Sequence, residues 1–358
     1  MFSLVLEKEA FEKITAFEYE DFPVWNKIIA GNIDITLNLT EEELEQELND
    51  PESPMTMALQ AYQSIRRPNP GKELFDGIQK DAAFLENYPK SAFILNLPEK
   101  ECQKLGDALG LLVYSSQNLK DEFTQLIIEE DFAESEIVQC HLTGLEGWTK
   151  VLKPFEKHKS NSSIFVDRNL FTNTERKNNV GVQNLNVYMD SILPKELKIP
   201  YHLFIATELS TKFQRQPRLH KDAVKELIKE ISSLRDYEII VETLFIHSGR
   251  PGHKYTHQRR VLKNYYFGKA EHGFSIFHVN DKSKVRSDND FDLFGVMNSS
   301  ISRENNVDQK RSTKLLNRLK YIKEDAELKL AELGQNDHHY RLYLGEEESV
   351  LITNRLLN

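Results

Sequence analysis

Cysteine is almost absent from this chain. Only Cys102 and Cys140 occur in 358 residues, and they do not form a C-x-x-C pair. A disulfide framework or a cysteine-rich zinc site needs more thiols at closer spacing, so a reducing compartment is expected. Long apolar runs are missing too. No segment reaches the roughly 18 consecutive apolar residues that a membrane-spanning helix requires. The opening residues, MFSLVLEKEAFEKI, carry no basic stretch ahead of an apolar run, which argues against a signal peptide. With a mean hydropathy of −0.53, the expectation is a soluble, cytoplasmic protein.

Several chemical signatures are lacking as well. There is no G-x-x-x-x-G-K-[ST] and no G-x-G-x-x-G after a strand, so nucleotide binding through a phosphate-cradling glycine loop has no support. H-E-x-x-H and G-x-S-x-G are also missing. A restriction-type nuclease needs an acid and a later E-x-K on neighbouring strands. Asp167 and Glu242 lie on candidate strands, but the residue two after Glu242 is Leu244. A zinc site from His247, His253 and His257 has no evident fourth ligand. No metal and no cofactor are therefore expected.

What is present suffices for real cores: 39% hydrophobic residues, with 20 Phe and 13 Tyr. The length predicts two domains, with a boundary near 131–146. Residues 1–145 read as an α-rich domain with a small parallel sheet and no interpretable motif. Residues 146–358 read as a larger alternating α/β domain.

In the first part, the first forty residues give no clear period, and helices are expected at 54–65 and 72–85. A strand at 91–97, a helix at 98–110 and a strand at 111–116 form a β-α-β unit, which implies parallel strands. A further helix is expected through about residue 130. In the second part, strands are expected at 164–171, 201–209 and 237–246, and an amphipathic helix at 221–234. A loop is expected at 175–184, two strands joined near 268–273, and a polar loop at 281–312. A charged helix at 314–333 and a last strand follow.

The net charge of −10 argues against indiscriminate coating of nucleic acid or anionic membranes. The charge is uneven, however. Between Arg250 and Arg286 there are nine Lys/Arg and two acids. His247, His253, His257, Arg250, Lys254, Arg259 and Arg260 fall within 14 residues at the end of a predicted strand. Strand ends are where α/β folds place ligands. Histidine suits proton transfer near neutral pH, and Arg and Lys suit phosphate. On a strand, His257 and Arg259 share one face and Arg260 takes the other.

The run His257-x-Arg259-x-x-x-x-Asn264, followed by Gly273 and Ser275, resembles the H-x-K-x-x-x-x-D motif of the phospholipase D-like superfamily. Arg259 stands where that family has lysine, and Asn264 where it has the acid. The resemblance covers about half the chain and implies an α/β fold in which two such motifs meet across an internal or dimer two-fold. It implies His257 as nucleophile or phosphate ligand, Asn264 as orienter and His247 as a second acid/base. Arg259 and Arg260 would clamp phosphate, with Lys254 and Arg250 beside them. A second run of the same spacing, His339-x-Arg341-x-x-x-x-Glu346, offers a partner half-site, with chance spacing as the alternative.

The implied function is engagement of a phosphodiester, most plausibly nucleic acid, by a metal-independent nuclease-type effector of a bacterial defence or toxin system. It would act as a homodimer or with a partner protein. The alternative is a non-catalytic module that keeps the scaffold and binds a phosphate-bearing ligand or a protein. Blander readings accompany several residues: Asp167 and Arg168 as a local turn or salt bridge, His272 and His278 as surface residues. Tyr265, Tyr266 and Phe267 read as core rather than a base-stacking platform.

Overall fold

A computed structural model describes residues 3–15, 29, 33–61, 65–119, 135–139, 147–153, 158–171, 174–175, 178–209, 217–247, 259–278, 290–295, 320, 323–324 and 340–358. The protein is α/β, as its alternating patterns imply. It divides into two compact units, Met1–Glu134 with Gly295–Leu316, and Ser135–Phe294 with Asn317–Asn358. Among the described residues no helix is long and apolar enough to cross a membrane.

The first unit is built on five parallel strands: β1 (Ser3–Leu6), β2 (Asp34–Leu37), β3 (Asn69–Pro70), β4 (Ser91–Leu95) and β5 (Val113–Ser115). Their order is β3-β2-β1-β4-β5, so the winding reverses between β1 and β4. Its helices are α1 (Lys8–Thr15), α2 (Glu41–Asn49), α3 (Pro54–Ala61), α4 (Lys72–Lys80) and α5 (Glu99–Leu109). The expected β-α-β unit is β4-α5-β5. All five residues of β4 are buried, and Gly110 ends α5 in the left-handed region at φ 64°. The helix expected over 72–85 breaks at Asp81, whose side chain accepts from Ala83 N and starts a 3-10 turn, Ala82–Asn87. In the first forty residues β1 and β2 are four residues each, too short to display a period.

The second unit carries a nine-stranded mixed sheet formed by β6 (Ser135–Gln139), β7 (Ser162–Val166), β10 (Tyr201–Leu209), β11 (Ile239–His247), β12 (Arg260–Lys263), β13 (Tyr266–Ala270), β14 (Asp290–Gly295), β15 (Tyr340–Leu344) and β16 (Glu347–Ser349). A separate two-residue pair is β8 (Thr174–Glu175) with β9 (Asn178–Asn179). The helices are α6 (Trp148–Val151), α7 (Val180–Ile192) and α8 (Pro217–Ser232). The centre, β7-β10-β11, is parallel, linked by crossovers through α7 and α8. Antiparallel β12 flanks β7, and antiparallel β15 flanks β11.

The core of this unit is aromatic. Trp148 meets Tyr188 and Phe291 edge-on, each at 5.0 Å between centroids. Its indole N–H donates to Asn184 Oδ1 at 3.0 Å, and the amide of Asn184 donates to the carbonyls of Val180 and Phe277. One buried amide therefore ties α6, α7 and the segment after β13 together.

Four expectations need correction here. The loop expected at 175–184 contains the start of α7, capped by Asn179, whose side chain accepts from Val182 N. Gly181 is no breaker: a Cβ there would sit 2.0 Å from the Leu170 carbonyl oxygen, so the helix start needs glycine for close approach. The strand expected at 164–171 stops at Val166, because Asp167 turns the chain by accepting from Asn169 N. The strands expected to join near 268–273 join instead at Asn264-Tyr265, and Gly268 lies within β13. The polar segment 281–312 contains β14, while its remainder and most of 314–333 lie outside the described residues. So does the helix expected through about residue 130.

Candidate functional site

The carboxyl ends of the parallel strands lie side by side. Ala206 is in register with Val166, and Leu209 with His247. The start of β12 reaches the same edge, since Arg260 is opposite Val166. Arg168, Arg259, Arg260 and the backbone of His247 are thereby brought to one end of the sheet. His253, His257, Lys254 and Arg250 lie outside the described residues, as does the His247 side chain.

Asp167 organises this edge. It is 1% exposed. Its Oδ1 accepts from Asn169 N at 2.9 Å and its Oδ2 from Phe274 N at 2.7 Å. Burial raises the carboxyl above its ordinary range, while the two backbone hydrogen bonds and the Arg259 charge pull it back down. Gly273, at φ +113°, lets the chain pass over this carboxylate. A Cβ there would lie 3.2 Å from Asp167 Oδ2 and 3.7 Å from Arg259 Nε.

The cations are held from several sides. Arg259 Nη1 donates to the Glu271 carbonyl at 3.1 Å. Arg260 places its guanidinium carbon 5.5 Å from the centre of the Phe267 ring. Arg168 Nε donates to Glu208 Oε2 at 2.8 Å, with Glu208 only 5% exposed. Of the local turn or salt bridge expected for Asp167 and Arg168, the turn is present at Asp167, while Arg168 pairs across strands with Glu208, 40 residues away.

Asn264 is elsewhere. Because β12 runs antiparallel to β7, Asn264 falls at the amino end of β7, roughly 13 Å along the strand from Arg260 at about 3.3 Å per residue. It is buried, its Oδ1 accepts from Asn161 N and Ser162 N at 3.0 and 3.1 Å, and its Nδ2 donates to Asn161 Oδ1 at 2.9 Å. This amide staples the β12–β13 turn to the start of β7.

Tyr265 and Tyr266 are 1% and 2% exposed, hence core, and Phe267 is half-buried beside Arg260. His272 is exposed and His278 half-buried. In the second run, Arg341 Nη1 donates to Glu348 Oε1 at 2.9 Å, and Glu346 lies 3.6 Å from Lys225. His339 is outside the described residues. Among the described residues no three His, Cys, Asp or Glu gather as a metal site.

Sequence reasoning missed two buried groups. Lys263 is 2% exposed and donates to the Ile192 carbonyl at 3.2 Å, and burial lowers it to about 7. Glu242 is 1% exposed and accepts from Thr353 N at 2.5 Å, from the Thr353 hydroxyl, and from Asn354 N at 3.2 Å. The Lys263 charge inside an apolar strand was a readable signal. The Glu242 partners, 111 and 112 residues away, were not. No protein-family model matches the chain, and no curated protein matches its sequence.

Proposed function

We propose that the second unit binds the phosphodiester backbone of a nucleic acid at the edge formed by the carboxyl ends of β7, β10 and β11 and the start of β12. The observation that carries this is the register that gathers Arg168, Arg259 and Arg260 where open α/β sheets receive ligands. Guanidinium groups pair well with phosphate oxygens, and anchoring by Glu208, Glu271 and Phe267 pre-orients them. The resemblance to the phospholipase D-like superfamily points to the same class of ligand.

Binding is favoured over cleavage by what the motif residues do. The family's lysine and acid are replaced by Arg259 and Asn264, and Asn264 is committed to the scaffold. Metal-independent cleavage with His257 as nucleophile, completed by a homodimer, is the stronger form of the proposal and rests on the resemblance.

One experiment addresses both forms. Fluorescence anisotropy is measured with labelled single- and double-stranded DNA and RNA between about 50 and 200 mM salt. Affinity is expected to fall with salt, Arg260→Ala to weaken it roughly tenfold and flatten the salt slope by about one, and His257→Ala to leave it intact. The same mixtures with EDTA are then run on denaturing gels. Cleavage abolished by His257→Ala would establish the catalytic form. Failure to bind all four probes would sink the proposal.

A further inference from the structure

Parallel sheets wound on both sides are normally apolar on both faces. The sheet of the first unit departs from this on its β1–β3 side. Leu4, Leu6, Ile35 and Leu37 are fully buried on one face. On the other, Ser3 is opposite Asp34 and Thr36 is opposite Asn69, so four polar side chains stand beside the buried Val5 on strands of which two are interior. β2 alternates half-buried and buried like a strand with one face open.

These residues line a cavity of about 730 Å³, together with Tyr88. Its lining runs the length of the strands, from Ser3, Asp34 and Tyr88 at the amino ends to Thr40 and Lys72, which follow β2 and β3 at the carboxyl side where such sheets take ligands. The volume falls within the roughly 300–1,000 Å³ of small-molecule sites.

The lining chemistry narrows the occupant. Asp34 is paired with Arg66 at 2.9 Å, Glu41 lies 3.6 Å from Arg67, and Lys72 is held by Asp76 at 3.0 Å. Those charges are matched within the protein. Ser3 Oγ is paired with Ser91 Oγ at 2.6 Å and the Asn69 amide donates to the Ile35 carbonyl at 3.3 Å. The hydroxyls of Thr36 and Tyr88 are the neutral hydrogen-bonding groups left on a lining that Val5, Leu39, Pro70 and Leu74 make partly apolar. A phosphate would meet the acids Asp34, Glu41 and Glu73 on a lining whose base, Lys72, is already held by Asp76. An apolar ligand would strip water from the hydroxyls without replacing it, at about 1–3 kcal/mol for each group left unsatisfied.

We propose that this cavity binds a neutral, hydroxyl-rich small molecule, through vicinal hydroxyls of the kind carried by the ribose of a nucleoside or by a free sugar. The site belongs to the first unit and is independent of phosphodiester binding by the second.

The test is titration calorimetry of the full chain with adenosine, uridine, ribose, glucose and adenosine monophosphate. Sub-millimolar binding of at least one neutral compound is expected. Thr36→Val and Tyr88→Phe, which remove a hydroxyl and little else, are each expected to weaken it roughly tenfold without moving the thermal midpoint. Nucleosides binding without the free sugars would identify the ribose source, and the reverse the sugar source. The proposal is overturned if no neutral compound binds, if both variants bind as tightly as wild type, or if the monophosphate binds and adenosine does not.

Discussion

Lys263 is an amine placed where water cannot reach it. It donates to the carbonyl of Ile192 at the end of α7, and the neighbouring His158 is itself lowered to about 3 by burial and by the Lys263 charge. The folded value, about 7, lies below the ordinary 10.5. The unfolded chain therefore binds more protons across that interval, and this residue's penalty is full below about 7 and relieved as pH rises towards 10.5. At about 1.4 kcal/mol per unit, the penalty is on the order of 5 kcal/mol. Lys263→Met is expected to stabilise the second unit at pH 7 and to narrow its advantage over wild type by pH 9.5. Urea unfolding at both pH values measures this, and an advantage that does not shrink with pH would refute it. Asn264 gives a second residue-scale prediction. Asn264→Leu removes the acceptor of two backbone N–H groups and the donor to one side-chain oxygen and should cost about 2–4 kcal/mol. Asn264→Asp keeps the acceptor and should cost less, which a pair of denaturation curves decides.

At the scale of elements, α7 is fixed by contacts that a helix pattern alone does not contain. Its first turn presses against the turn that ends β7, close enough that Gly181 has no room for a Cβ. Gly345, in the β15–β16 turn, has φ +61° and nothing within 4 Å of a Cβ. Gly345→Ala is expected to cost about 1–2 kcal/mol, from backbone conformation alone. Gly181→Ala must displace backbone and is expected to cost more. Chemical denaturation of the two variants is the check; equal losses would mean that α7 can slide from β7 without penalty. These elements were only partly legible in sequence. β10 was read at its true bounds because nine residues of apolar strand pattern suffice. The start of α7 was read as loop because Asn179 and Gly181 resemble loop residues until the close approach to Leu170 is seen.

At the scale of the whole molecule, the second unit is closed by the segment 351–358. It lies across the central strands, where Asn354 donates to the carbonyls of Ser163 and His202 and accepts from the Ser162 hydroxyl, while Leu356 and Leu357 are buried. Burial raises Glu242, and the hydrogen bonds from Thr353 and Asn354 act against that shift. Asn354→Ala removes the side-chain half of this clasp and is expected to lower the stability of the second unit by about 2–4 kcal/mol. An unchanged urea midpoint would show that the segment is merely laid on the sheet.

The sequence by itself determined the α/β class and the parallel β4-α5-β5 unit. Each of these depends on signals within about a dozen residues: run length, helical spacing, a proline before a helix and a glycine after it. Only the tertiary structure decided that Asn264 is a staple, that Glu242 is a hub, that Lys263 is buried and that Ser3, Asp34 and Thr36 share a face of β1 and β2. Those outcomes are set by partners far along the chain, 102 residues for Asn264 with Ser162 and 112 for Glu242 with Asn354. A buried polar group takes whichever partner the fold brings within reach, and local pattern carries no record of that.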